Sequence, residues 1–272
     1  MKISAKYRLP RIALATTVVA LFVAQLLIHD FPAWIFAAPV NIILAILWIA
    51  LLWEGFRHRA TSTTIQYLLS AEATYIALAA AAAIAIALGL QSDPAAASWP
   101  VVGGGAYILT VLTLVILRGW RNEKGIRWRF LATHCGLWLA VASMLFGAPD
   151  KQICRVEVGE APTREAINEQ GKATFLDYEL CLKDFAVEHS ESGTPQMFRA
   201  EVAIDEKVVP LEVNAPYRHK YGENIYLVSY DKGGCILQIV REPWLIATIT
   251  GIAMLLLGAL MLFLQGFGTR EQ

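Results

Sequence analysis

The residue in this chain best equipped for chemistry is His134. It sits in Leu131-Ala132-Thr133-His134-Cys135-Gly136-Leu137-Trp138, inside an apolar run, where an unpaired polar ring is costly and a neutral imidazole can ligate iron. Gly136 admits a close neighbour, either a flat cofactor or a second helix. The structural alternative for His134 is a hydrogen bond across to another helix. Glu72, with Ser70 nearby, is the other ionisable side chain placed inside an apolar run, about two turns in. It is either a functional group or a carboxylate that reaches water. Cys154, Cys181 and Cys235 would permit one disulfide and leave one thiol over, with the pair undetermined; their spacing fits neither a CxxC redox motif nor a zinc site. His29 and His58 fall at the ends of apolar runs and His189 before a turn, while His219 lies in the basic stretch Tyr217-Arg218-His219-Lys220, read as an exposed loop. Nothing pairs a nucleophile with a base for hydrolysis or group transfer.

Six apolar stretches must position these groups: 12–29, 36–54, 65–90, 101–118, 129–147 and 244–264. Each is close to the roughly 20 residues an apolar helix needs to cross a bilayer. The fold class is therefore an integral membrane protein: a helical region over 1–147 with five spans, a polar domain over 148–243, and a final span with a short tail over 244–272. Lys and Arg precede the first span, follow the second, fill the fourth connection and close the chain, whereas the loops 30–35 and 91–100 carry none. By the positive-inside rule both termini are cytoplasmic and 148–243 is exported. Trp34, Trp53, Trp99, Trp120, Trp128 and Trp244 fall at span ends, where an amphipathic ring suits the headgroup layer. With 23 basic and 23 acidic side chains, the composition excludes a nucleic-acid binder. The lack of an internal repeat argues against half of a transporter.

Between the fifth and sixth spans the apolar run stops at Ala148-Pro149-Asp150 and a rough alternation begins. Strands are expected over 151–159, 174–189, 197–204, 207–213, 224–230 and 235–240, with a turn at Glu191-Ser192-Gly193-Thr194-Pro195 and another around Asn214-Ala215-Pro216-Tyr217. Residues 162–170 read as one short helix capped at Thr163. Short strands with little helix predict an extracytoplasmic all-β domain, sandwich or barrel-like.

Several of these segments together resemble the ResB family of cytochrome c biogenesis. They are Thr133-His134-Cys135-Gly136 with Gly147; Val158-Gly159-Glu160; Leu182-Lys183-Asp184-Phe185-Ala186-Val187-Glu188; Val213-Asn214-Ala215-Pro216; Asn224-Ile225-Tyr226-Leu227-Val228-Ser229-Tyr230; and Glu242-Pro243 leading into a helix with Gly251 and Gly258. The resemblance implies a subunit of a system II cytochrome c synthase in the bacterial inner membrane, with its β-domain in the periplasm. It also implies haem b in transit, ligated by His134 beside Gly136, with Glu72 a weaker candidate. The implied partners are a CcsA-type tryptophan-rich haem-handling membrane protein, an apocytochrome c and a thiol-reducing thioredoxin-like protein. Five helices precede the domain here where many family members have three, and Glu242 stands where the family usually has Asp. A WGxFWxWD-like loop is absent, so the partner is expected to supply it. The competing reading is a membrane-anchored scaffold whose external domain recruits a partner without touching haem.

Overall fold

Residues 5–90, 98–123, 125–189, 195–231 and 234–265 are described by the computed structural model of the protein. Its helices are α1 (Arg8–Ile28), α2 (Val40–Arg57), α3 (Thr63–Leu68), α4 (Ala71–Leu90), α5 (Trp99–Gly119), α6 (Trp128–Gly147) and α7 (Leu245–Gln265). Among the described residues, six of these are long and apolar enough to cross a membrane, all but α3. The chain is a membrane protein. It divides into a helical unit and a second compact unit, Asp150–Leu245.

The stretch expected as a single span from 65 to 90 is broken. Ser62 accepts a hydrogen bond from the Ile65 amide and caps α3, and Ser70 accepts one from the Ala73 amide and starts α4 afresh. Glu72 therefore lies in the first turn of α4 and not two turns inside it, where its charge also complements the helix dipole. Within the helical unit α5 packs against α1, α2, α4 and α6, with Leu109, Val111, Leu112 and Leu114 buried. Polar side chains join neighbouring helices: Asn41 Nδ2 donates to the Phe146 carbonyl at 2.7 Å, Trp138 Nε1 to Thr113 Oγ1 at 2.8 Å, and Ser143 Oγ lies 2.9 Å from Thr248 Oγ1. In lipid such bonds hold helices that the hydrophobic effect does not.

A two-residue hairpin, β1 (Arg121–Asn122) with β2 (Gly125–Ile126), links α5 to α6. The second unit is one antiparallel sheet of eight strands: β3 (Gln152–Val158), β4 (Thr163–Asn168), β5 (Ala173–His189), β6 (Pro195–Ile204), β7 (Lys207–Glu212), β8 (Tyr217–Lys220), β9 (Glu223–Asp231) and β10 (Gly234–Arg241). Their order is β7-β6-β5-β4-β3-β10-β9-β8. The long β5 pairs with β4 through its first half and β6 through its second. Alternate residues, among them Val156, Tyr178, Leu180, Val202, Leu211, Ile225, Leu237 and Ile239, fill one core. Lys207 of edge strand β7 reaches the Tyr217 hydroxyl of edge strand β8 at 3.5 Å, and Lys220 and Arg241 both bond Asp177 of β5, so the sheet curls back upon itself and is barrel-like.

Two expectations change here. Residues 163–168 form β4, not a helix capped at Thr163: Ala166 is buried while Arg164 and Glu165 are exposed, and pairing with β3 and β5 overrides a locally helix-favouring sequence. The strand ends in a turn in which Asn168 Oδ1 accepts from the Gln170 and Lys172 amides, with Gly171 at φ +72°. Residues 217–220, read as an exposed loop, form edge strand β8. The turn expected at 191–194 lies outside the described residues.

Candidate functional site

His134 occupies the second turn of α6. Its Nδ1 lies 2.9 Å from the Phe130 carbonyl oxygen, one turn back on the same helix. A carbonyl only accepts, so the tautomer that bonds it carries its proton on Nδ1 and keeps a lone pair on Nε2; Thr133 Oγ1 also lies 3.0 Å from Nδ1. The ring stacks on Phe130 with centroids 3.9 Å apart and planes 23° apart. Phe130 fits because its neighbour across the helix contact is Gly119, where an added Cβ would lie 2.5 Å from the ring. Arg127, at the start of α6, places its guanidinium 4.8 Å from the Phe130 centroid. Among the described residues His134 makes no hydrogen bond to a neighbouring helix; the polar contacts of its ring lie within its own helix. What remains is an oriented, half-buried imidazole presenting an unprotonated nitrogen, the form in which histidine ligates metals.

Gly136 serves a different purpose. A Cβ there would lie 2.8 Å from the Gly251 carbonyl oxygen and 2.8 Å from the Leu255 amide nitrogen, both on α7. Helix and not cofactor fills the space beside it. Gly251 faces Gly136 and Ala140 in return, and Gly258 faces Thr133, so small residues bring the α6 and α7 backbones together. We expect Gly251→Leu to cost about 1–3 kcal/mol or more through overpacking, read as a large fall in folded chain recovered from membranes while Gly89→Leu, which has open space around it, is recovered normally.

Glu72 is not brought to His134 by any contact. Both of its oxygens accept from Arg11, Nε to Oε1 at 2.7 Å and Nη2 to Oε2 at 2.5 Å, a bidentate pair joining the first turns of α1 and α4. Its place is that of a helix-joining carboxylate.

The cysteines are all free thiols; the disulfide expected among Cys154, Cys181 and Cys235 is not formed. Register separates one of the pairs. Cys154 lies opposite Ile239 and Cys235 opposite Val158 on the β3–β10 ladder, four residues apart, or about 13 Å at the strand rise, well beyond what a disulfide spans. Cys181 lies opposite Ala203 on another pair of strands. Burial pushes the Cys235 thiol up to about 11. In the folded chain at pH 8 it should therefore react with iodoacetamide more than about 100-fold slower than after unfolding; equal rates would refute its buried placement.

A polar cluster that no short motif announces closes one end of the β-unit. Glu223 is 3 % exposed, and its Oε2 accepts from Arg241 Nε. Arg241 Nη2 reaches Asp177 at 3.0 Å and Lys220 Nζ reaches it at 2.6 Å. His219, the extra residue at an irregularity in the β8–β9 ladder, packs against Tyr178 with centroids 4.3 Å apart and planes tilted by 50°. Burial, followed by the Glu223 charge, pushes the Tyr178 hydroxyl far up. The hydrogen bond from Lys220 holds Asp177 below its ordinary 3.8. A depressed carboxylate contributes stability above its ordinary pKa and loses it as pH falls through the folded value. We therefore expect stability to decline below about pH 4, and Asp177→Asn to flatten that acid limb in near-ultraviolet dichroism. Nearby, Glu242 pairs with Lys151 at 2.8 Å, and Trp244 Nε1 donates to Asp150 Oδ2 at 2.6 Å.

Fold and site together define a multi-span membrane protein with a barrel-like domain set between its last two helices and an oriented imidazole in the helix before that domain. Residues 123–245, which take in α6 and the whole β-domain, match the model of the ResB-like family, so the resemblance carried by the motifs holds over that segment. No curated protein matches the chain. Among solved structures, "Cytochrome c Heme Lyase CcmF" is similar at 10 % identity and a TM-score of 0.40, over 90 % of this chain and 44 % of that one. The chain thus spans less than half the length of that protein, and a likeness at this level carries no functional weight.

Proposed function

We propose that this chain serves cytochrome c biogenesis as the ResB-like subunit of a haem export and ligation complex. Haem is the cargo, and His134 supplies one axial ligand as it passes. The observation that supports the reading is the state of that imidazole: Nδ1 is spent on the Phe130 carbonyl, Nε2 is left with a lone pair, and the residue lies within the segment matched to the ResB-like family. The reaction served adds an apocytochrome thiol across each haem vinyl group: the sulfur–hydrogen bond and the vinyl π bond break, carbon–sulfur and carbon–hydrogen bonds form, and there is no net redox change. Neither a nucleophile nor a base is required of this chain. Its contribution is to hold and orient haem while a tryptophan-rich membrane partner and the apocytochrome complete the site. On the positive-inside reading of the loops the β-domain faces the periplasm, and it is the docking module.

The visible spectrum of the affinity-purified complex under reducing conditions tests this. The expected result is a six-coordinate, low-spin haem that added imidazole leaves unchanged. A complex that contains no haem, from cells that nonetheless lose c-type cytochromes when the gene is deleted, would replace this reading with the scaffold one.

A further inference from the structure

Arg127, Phe130 and His134 recur at spacings of three and four residues and so lie along one face of α6. Arg127 is fixed at the head of that stripe from three directions. Its amide donates to the Trp120 carbonyl at 3.0 Å, its own carbonyl accepts from the Leu131 amide at 2.9 Å, and Nη1 donates to the Gly119 carbonyl at 3.1 Å. The guanidinium is thereby held over Phe130, whose ring also stacks on that of His134. Among the described residues no carboxylate pairs with Arg127, and most of its five N–H donors remain for a ligand. Cation and imidazole are seven residues apart, about 10 Å along the helix, and the stacked Phe130 ring between them sets that separation.

We infer that Arg127 is an oxyanion seat matched to His134, and that it takes a propionate carboxylate of the haem whose iron Nε2 ligates. This rests on the proposed function. A metalloporphyrin carries its metal at the centre of a flat disc and its carboxylates on arms at the rim, so a cation displaced along the helix from the ligating nitrogen meets them. A guanidinium suits a carboxylate because its donors form a planar fork. Arg127 is a positioning residue: it selects which edge of the porphyrin faces the start of α6 and leaves the ligation itself to His134. The same chemistry would also accept a lipid phosphate, and the test separates the two.

The full chain, in nanodiscs of net-neutral lipid, is titrated with iron protoporphyrin IX and with its dimethyl ester, following the Soret band. The wild type is expected to bind the free acid at least about tenfold more tightly than the ester, the scale of one charge-assisted hydrogen-bonded pair. Arg127→Gln, which keeps a planar group over Phe130, should reduce that preference to below about threefold while the histidine-ligated spectrum persists; Arg127→Lys should keep part of it. His134→Ala should abolish the histidine-dependent Soret shift with either porphyrin. If the wild type shows no Soret shift that depends on His134, the proposed function fails and this inference with it. If the shift is present but Arg127→Gln leaves the acid-over-ester preference intact, the inference alone is overturned. It is equally overturned if acid and ester bind alike and Arg127→Gln instead loses anionic lipid retained in native mass spectrometry, which would make Arg127 a lipid anchor.

Discussion

His134→Ala is expected to strip the purified complex of most of its haem, by tenfold or more, and to abolish covalent cytochrome c in the cell while b-type cytochromes remain. If His134 ligates haem as proposed, the size follows from losing an axial bond that its sequence neighbours do not replace: Thr133 hydrogen-bonds to carbonyls of its own helix and Cys135 is a half-buried thiol. The substitution is expected to leave the fold intact, because among the described residues the imidazole hydrogen-bonds within its own turn of α6 and the α6–α7 contact runs through Gly136, Gly251 and Gly258. External imidazole should therefore restore haem to the His134→Gly variant, where the ring can be replaced within the cavity its loss creates. Unchanged haem and unchanged maturation in His134→Ala would discard the assignment.

Arg241→Ala is expected to be the most damaging single change in the β-domain, about 3–5 kcal/mol, because it leaves the Glu223 carboxylate buried without its partner. It also removes one of the two cations that tie Asp177 of β5 to the strands on the other side of the curled sheet. Pairing the change with Glu223→Gln should recover much of the loss, since a neutral amide is far cheaper to bury than an uncompensated charge. Hydrogen exchange of the β9 and β10 amides in the full chain reads both effects. Equal protection in wild type and Arg241→Ala would show that the network does not hold the sheet closed.

Much of this was legible in the sequence because the underlying signal is composition over long windows. Six apolar runs between basic loops define six spans whatever their exact ends, and alternation over 151–240 announces strands. What escaped depends on single hydrogen bonds or on distant partners. Ser62 and Ser70 cut one expected span in two and moved Glu72 to a helix start, where Arg11, 61 residues away, meets it. The segment Thr163-Arg164-Glu165-Ala166-Ile167-Asn168 favours a helix locally, yet its pairing partners make it a strand. The Asp177–Glu223–Arg241 network joins residues up to 64 positions apart, and cysteine count could not reveal that strand register keeps the thiols separated. His134 was visible as an anomaly of polarity, but its useful nitrogen is set by a bond to Phe130 that only coordinates reveal.

Haem export through this chain requires the β-domain on the outer side of the membrane and the hairpin ahead of α6 on the inner side, and site-directed labelling from outside the cell distinguishes the two. A membrane-impermeant maleimide is applied to intact spheroplasts carrying Phe175→Cys, whose parent side chain is 71 % exposed on the β-domain, or Asn122→Cys, in the exposed hairpin ahead of α6, each against the parent chain. Labelling at position 175 above the parent level, with position 122 labelled only after lysis, is the expected pattern. Labelling of position 122 in intact spheroplasts, with position 175 protected until lysis, would place the β-domain in the cytoplasm and contradict haem export through this chain.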